Sequence, residues 1–132
     1  MNGTFIKTSI VDIHSLNPHP DHDFYCGNIP EKYWMDFKNA IKLFGADKIV
    51  VSKDMTVVSG WQRVKACREL GRRKIAADIY DYDSPDDITW DLITLHLWQH
   101  RDKQISGANA VIIGRGIRKL EDISASRNKY SV

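Results

Sequence analysis

Apolar residues along this chain switch between a period near two and a period near three and a half. Residues 5–13 are β-branched and partly alternating, which predicts a first strand. Leu16-Asn17-Pro18-His19-Pro20-Asp21-His22-Asp23 interrupts it. Two prolines among Asn/Asp turn formers cannot continue a ladder, so this stretch predicts a loop. After Pro30, residues Trp34, Phe37, Ile41 and Phe44 recur at helical spacing until Gly45, predicting a helix whose aromatic stripe faces the core. Residues 49–52 and 55–59 read as two short strands joined by a hairpin turn at Lys53-Asp54. A helix follows from Trp61, with Val64, Cys67 and Leu70 as its buried seam. Residues 75–82 return as a strand with Ile75, Ala77 and Ile79 on one side.

Ser84-Pro85-Asp86-Asp87 combines a cap, a first-turn proline and acids where the helix dipole favours them. The helix it starts should carry Ile88, Leu92, Leu95 and Trp98 inward and run to about His100. A polar break at 102–104 precedes a last helix over 110–123, and the tail from Ser124 has little to bury and is expected to fray. Strand, helix, hairpin, helix, strand, helix, helix makes a mixed α/β layer fold of the α+β kind.

A length of 132 residues predicts one domain, drawn as 1–104, with residues 105–132 as a helix and tail packed on it or extending from it. A hydrophobic fraction of 42% beside 27% charged residues suits a chain that buries a real core. Cys26 and Cys67 show neither CxxC spacing nor a disulfide framework, so a reducing, cytoplasmic setting is expected. Cys67 reads as a small core residue. No stretch approaches the roughly 20 apolar residues of a membrane span, so no membrane partner is expected.

The net charge of +2 conceals a bipolar distribution. Arg63, Lys65, Arg68, Arg72, Arg73 and Lys74 crowd one segment, and Asp78, Asp81, Asp83, Asp86, Asp87 and Asp91 follow. This is either a basic face for DNA, with Lys65, Arg68, Arg72 and Arg73 outward, or two solvated faces of a globule. Between strand and helix lies Ser59-Gly60-Trp61-Gln62-Arg63. Backbone amides at a helix start, with an arginine just inside, form a cradle for phosphate.

That turn, with the element order, resembles the N-terminal domain of ParB-type partition proteins, of the ParB/sulfiredoxin-like fold. The pattern includes an Asn-Pro loop, here Leu16-Asn17-Pro18-His19-Pro20, and a Gly-Glu-Arg-Arg-like turn, here Gly60-Trp61-Gln62-Arg63, followed by Ala66 and Glu69-Leu70-Gly71. A last motif of Asn-x-x-Gln-Arg type falls on His96-Leu97-Trp98-Gln99-His100-Arg101, and the segment from Gly114 to Glu121 looks like the helix that follows it. The resemblance spans residues 5–123. It implies a small mixed sheet flanked by helices and a DNA-associated module of partition or transcriptional control, on a chromosome or a mobile element. It also implies a bound nucleoside triphosphate, CTP or ATP, with Mg2+. Carried over, Ser59, Gly60, Trp61, Gln62 and Arg63 hold phosphate, Gln99 and Arg101 stand behind them, and Asn17 faces the nucleobase.

Departures from the pattern bear on chemistry. Trp61 replaces the acid of the turn, Gln62 replaces an arginine, and His96 and His100 stand where Asn and Arg are expected. No cysteine occupies the turn, which removes the sulfiredoxin nucleophile. These changes argue for weak or absent catalysis, because a triphosphate needs cations or a metal to offset its charge.

His96 and His100 lie one helical turn apart, while His19 and His22 sit with Asp21 and Asp23 in the Asn-Pro loop. Together they suggest a divalent-metal pocket. The alternative is solvated loop histidines and a packing or capping His96. Two functions therefore stand beside the DNA-associated module: a metal-dependent nuclease or nucleotidase on the same pocket, and a degenerate interaction scaffold that forms a homodimer through the C-terminal helix.

Overall fold

The computed structural model describes residues 1–102 and 107–129. The predicted boundary at 104/105 lies outside the described residues. Strand β1 (Thr4–Asp12) ends in a single 3-10 turn (Ile13–Ser15) and leads to a two-residue strand β2 (Asn17–Pro18). Then come helices α1 (His22–Cys26) and α2 (Glu31–Phe44), the hairpin β3 (Ile49–Ser52) and β4 (Thr56–Ser59), and helix α3 (Trp61–Glu69). Strand β5 (Lys74–Asp81) precedes α4 (Pro85–Gln99) and α5 (Gly107–Lys129).

The strands form one sheet in the order β1-β5-β3-β4-β2. Antiparallel pairing holds β1 to β5 and β3 to β4, while β3–β5 and β2–β4 are parallel. Alternation along the strands sends Val11, Ile49, Val51, Val57, Ile75, Ala77 and Ile79 to one face, where they meet Val64 and Cys67 of α3 and Ile41 of α2. Val58 points the other way and is buried, as are Leu92 and Ile93 of α4, which packs on β4. The mixed α/β layer fold expected from the pattern is the one observed.

The Asn-Pro stretch is more ordered than a loop. Asn17 pairs with Thr56 and Pro18 with Val57 at the open edge of the sheet, the position where a strand tolerates proline. Asp21 then opens α1, with the His22 ring buried against it. The α2 stripe buries Ile41 fully and Trp34 and Phe37 partly, but Phe44 is 87% exposed at the helix end. Its burial was expected from periodicity alone, and the buried part of the stripe stops one turn earlier.

In α4 the expected inward face is rotated. The buried residues are Thr89, Asp91, Leu92 and Ile93, and Trp98 is 64% exposed. A carboxylate sets this face. Asp91 is fully buried and accepts hydrogen bonds from the Asn2 amide (2.8 Å), the Gly3 amide (3.1 Å) and the Tyr82 hydroxyl (2.9 Å). Burial, and after it the nearby Asp91 carboxylate, holds the Tyr82 phenol far above its ordinary range, so it remains a donor.

The last helix begins earlier than predicted, and the tail expected to fray continues it to Lys129. Ile123 is buried, and Arg127 pairs with Asp87 and lies over the Trp90 ring at 5.7 Å. At Gly116 the helix meets α4 so closely that a Cβ would stand 2.9 Å from Ile93 Cγ2. Close approach at a glycine and one aromatic–arginine clasp give the tail the partners that its own sequence lacked.

Replacing Asp91 by Ala leaves two amides and a phenol without their acceptor. Urea denaturation should show a loss of about 3 kcal/mol, with the slope of the transition unchanged.

Candidate functional site

The site is built where two parallel strands end together. Because β2 and β4 run in the same direction, their C-terminal ends lie at the same side of the sheet. The residues after Pro18 and the turn after Ser59 therefore emerge as neighbours. Val57 and Val58 bury opposite faces of β4 and fix its plane, so the chain must turn sharply at Gly60 to enter α3.

Gly60 does this in the left-handed region, with φ 105° and ψ 21°. A Cβ there would stand 2.5 Å from Ile49 Cγ2 and 3.2 Å from the Arg63 guanidinium carbon. Both dihedral and space demand glycine. The first intrahelical bond runs from the Val64 amide to the Gly60 carbonyl, and no side chain caps the helix start. The amides of Trp61, Gln62 and Arg63 thus belong to the orphan first turn, where the helix dipole concentrates positive potential.

The sequence-selected residues around this turn are placed as follows. Gln99, at the end of α4, donates its side-chain amide to the Ser59 hydroxyl at 2.8 Å, joining two candidates that lie 40 positions apart. Gln62 donates to the Asn28 side chain at 2.9 Å, while its own oxygen is buried without a partner. Asn28 also accepts from Lys65 at 3.2 Å, so it ties the two α3 residues to the α1–α2 connection. Nothing local in the sequence marked Asn28 as a partner of α3, since Gln62 and Lys65 lie more than 30 residues away.

Arg63 does not project into open space. It donates to the carbonyls of Asp47 (3.1 Å) and Lys48 (2.7 Å) and packs beneath Gly60. Burial lowers its pKa, and Asp47 opposes that shift. Its charge backs the turn from below. Trp61 packs on the core with Arg68 over its ring at 5.3 Å. Arg101 is stacked 3.9 Å from the centre of the Trp98 ring and donates to the Trp98 carbonyl. Asn17 is exposed on β2, its backbone amide bonded to the Met55 carbonyl.

The row expected to face DNA is divided. Arg68 donates to the Ile13 and Leu16 carbonyls, and Arg72 to those of Ile41 and Lys42 at the end of α2. These two guanidiniums turn inward and close the ends of other elements. Lys65 is half-buried 5.5 Å from the centre of the Trp34 ring, and Arg73 alone of the four is exposed. Exposed Arg73 lines a shallow hollow with Asp12, His14 and Lys74.

The histidines take separate roles. His22 is buried with Nδ1 2.9 Å from Asp23, and His19 Nδ1 accepts the Asp21 amide at 3.0 Å. The His96 and His100 rings lie side by side on α4, with centres 4.4 Å apart and planes tilted by 47°. Among the described residues, no group of three or more His, Cys, Asp or Glu is arranged to hold a metal ion. The loop rings of His19 and His22 bond within their own turn. Neither thiol is poised as a nucleophile. Burial and then Asp23 push Cys26 up to about 12, and burial raises Cys67.

No protein-family model and no curated protein matches the chain. Solved structures do. It is similar to a pNOB8-like ParB N-domain in its C2221 crystal form, with a TM-score of 0.75 and 15% identity over 96% of this chain and 50% of that one. A second structure of the pNOB8-like ParB N-domain gives 0.73 and 16%, covering 96% and 46%. The C-terminally truncated chromosome-partitioning protein ParB from Caulobacter crescentus, complexed with CTP-gamma-S, gives 0.59 and 16%, covering 76% and 56%. The fold is therefore that of a ParB N-domain, as the resemblance in sequence implied. The chain spans about half the length of the solved structures that it matches.

Two measurements check this geometry. Gly60→Ala should cost at least about 2 kcal/mol in denaturant unfolding, from the left-handed backbone and the contact with Ile49. Burial, chiefly, lowers the His19 pKa from 6.5, with Asp21 opposing and His22 adding to the shift. A histidine with a depressed folded pKa favours its neutral form, so its contribution is complete above 6.5 and is lost as pH falls below that value. Between about pH 7 and about pH 5, the wild type should lose stability more steeply than His19→Gln.

Proposed function

We propose that this chain is a nucleotide-binding, DNA-associated module of the ParB type, working in partition or transcriptional control on a chromosome or a mobile element. The observation that carries the reading is the uncapped first turn of α3 behind left-handed Gly60. Its three leading amides provide donors for a phosphate group, and Arg63 adds positive potential from beneath. Ser59 and Gln99 close the side of the turn. The fold shared with a ParB crystallised with CTP-gamma-S supports a cytidine nucleotide as the first candidate, with ATP as the comparison.

The residues fit the phosphate end of such a ligand. They do not fit a resident divalent ion: the turn carries Trp61 in place of a carboxylate, and no metal-holding group of His, Cys, Asp or Glu occurs among the described residues. Any Mg2+ would arrive with the nucleotide and be held mainly by its phosphates. Binding without efficient hydrolysis follows, and a nuclease on this pocket is disfavoured by the same donor set.

A second reading, an interaction scaffold, is favoured by one observation. Arg63, Arg68 and Arg72 all spend hydrogen bonds on backbone carbonyls. Calorimetric titration with CTP, ATP, GTP and UTP, each with and without Mg2+, separates the two. The nucleotide reading expects CTP to bind and inorganic triphosphate to compete with it. Silence from all four at about 1 mM, equivalent to about −4.1 kcal/mol, would leave the scaffold standing and the nucleotide reading dead.

A further inference from the structure

A second surface forms where α1 packs on α5. It is a groove of about 230 Å³ lined by Phe24, Tyr25, Arg115, Arg118, Lys119 and Asp122. On α5, positions 115, 118, 119 and 122 stand at i, i+3, i+4 and i+7, so the three cations and one acid share a single helix face. From α1 come two adjacent aromatic rings in edge-to-face contact, 5.0 Å apart, and Phe24 is 50% exposed. The Arg115 guanidinium lies 4.5 Å from the centre of the Phe24 ring. Arg118 lies back along the helix over Gly114, where a Cβ would stand 3.2 Å from its Nη1. Among the described residues, no ion pair engages Arg115, Arg118 or Lys119.

We infer that this groove binds a single strand of nucleic acid, with phosphates on Arg118 and Lys119 and an unpaired base stacked against Phe24. Charge complementarity supports an anionic polymer, since two cations stay available while Arg115 is held on the ring. The exposed aromatic selects a single strand, because only an unpaired base offers its face for stacking. Asp122, with Glu121 beside it, marks the C-terminal end of the groove as unfavourable to phosphate and so limits the footprint to the Phe24 side. Compared with Arg68 and Arg72, whose guanidiniums bond to backbone carbonyls, Arg118 is exposed and Lys119 is half-buried, with no ion pair among the described residues. The inference rests on the DNA-associated part of the proposed function and is independent of the nucleotide-binding turn.

Fluorescence anisotropy of a labelled oligothymidylate and of a duplex of equal length, without nucleotide, tests it on the whole chain. The single strand should bind more tightly than the duplex, and its affinity should fall with salt. Arg118→Glu should weaken binding about tenfold, and Lys119→Gln should lower the salt slope by about one. Phe24→Ala should weaken the single strand about tenfold and the duplex little. Circular dichroism melts of each variant show whether the fold is retained. Because Phe24 is also part of the α1 packing, Arg118→Glu and Lys119→Gln, on the outer helix face, test the idea even if Phe24→Ala unfolds. Unchanged oligonucleotide binding in folded Arg118→Glu and Lys119→Gln, or a preference for the duplex, overturns the inference. Loss of oligonucleotide binding in these variants while triphosphates give no heat would support the groove and reject the turn; the reverse pattern would do the opposite.

Discussion

Helix α3 and the turn that follows it hold the domain together through guanidinium groups that bond to backbone carbonyls. Arg63 reaches the entry to β3, Arg68 the 3-10 turn after β1, and Arg72 the end of α2. Each satisfies acceptors at a place where the regular ladder stops, and hydrogen bonds from a charged donor are worth more than neutral ones. One short helix and the turn after it thereby fix the ends of three other elements. Its apolar seam, Val64, Ala66 and Cys67, would bury a modest area on its own. The guanidiniums supply the direction that hydrophobic burial lacks.

That arrangement changes the meaning of a basic segment. Clustered arginines with one acid among them look like a surface for a polyanion, and the charge pattern alone gives no reason to prefer an inward orientation. What decides is geometry: a helix crossing the ends of several strands and helices faces a ring of unpaired carbonyls. Arg63, Arg68 and Arg72 then serve the fold first, while Arg73 and, on α5, Arg118 stay exposed. The donor direction of the α3 turn belongs to the backbone, whose amides keep their direction whatever the side chains do.

Much of this architecture was legible because periodicity and punctuation agree. The hairpin, the proline-started α4, the glycine-closed α2 and the strand 75–82 each carry a local signal, and all are present within a residue or two. The central turn was legible for the same reason, as glycine between a buried valine pair and a helix has few readings. The failures share one cause, which is dependence on distant partners. Asp91 sits on an inward helix face only because Asn2, Gly3 and Tyr82 supply three donors. Ser124 onward is helical because Asp87 and Trp90 meet Arg127. Pro18 enters a strand because β4 presents an edge. Arg68 and Arg72 turn inward toward carbonyls that no sequence window contains.

In mechanical terms α4 is a strut pinned at two points. Near its middle, Asp91 grips the beginning of β1 and the end of the β5 connection; at its tip, Gln99 grips Ser59. Eight helical steps separate the pins, a span of about 12 Å that an α-helix holds stiffly. The open edge of the sheet at β1 and the glycine turn near its opposite edge are therefore held at one fixed distance by a member outside the sheet. The strand ladder does not have to maintain that spacing alone, which lets a five-stranded sheet with a two-residue edge strand keep its shape.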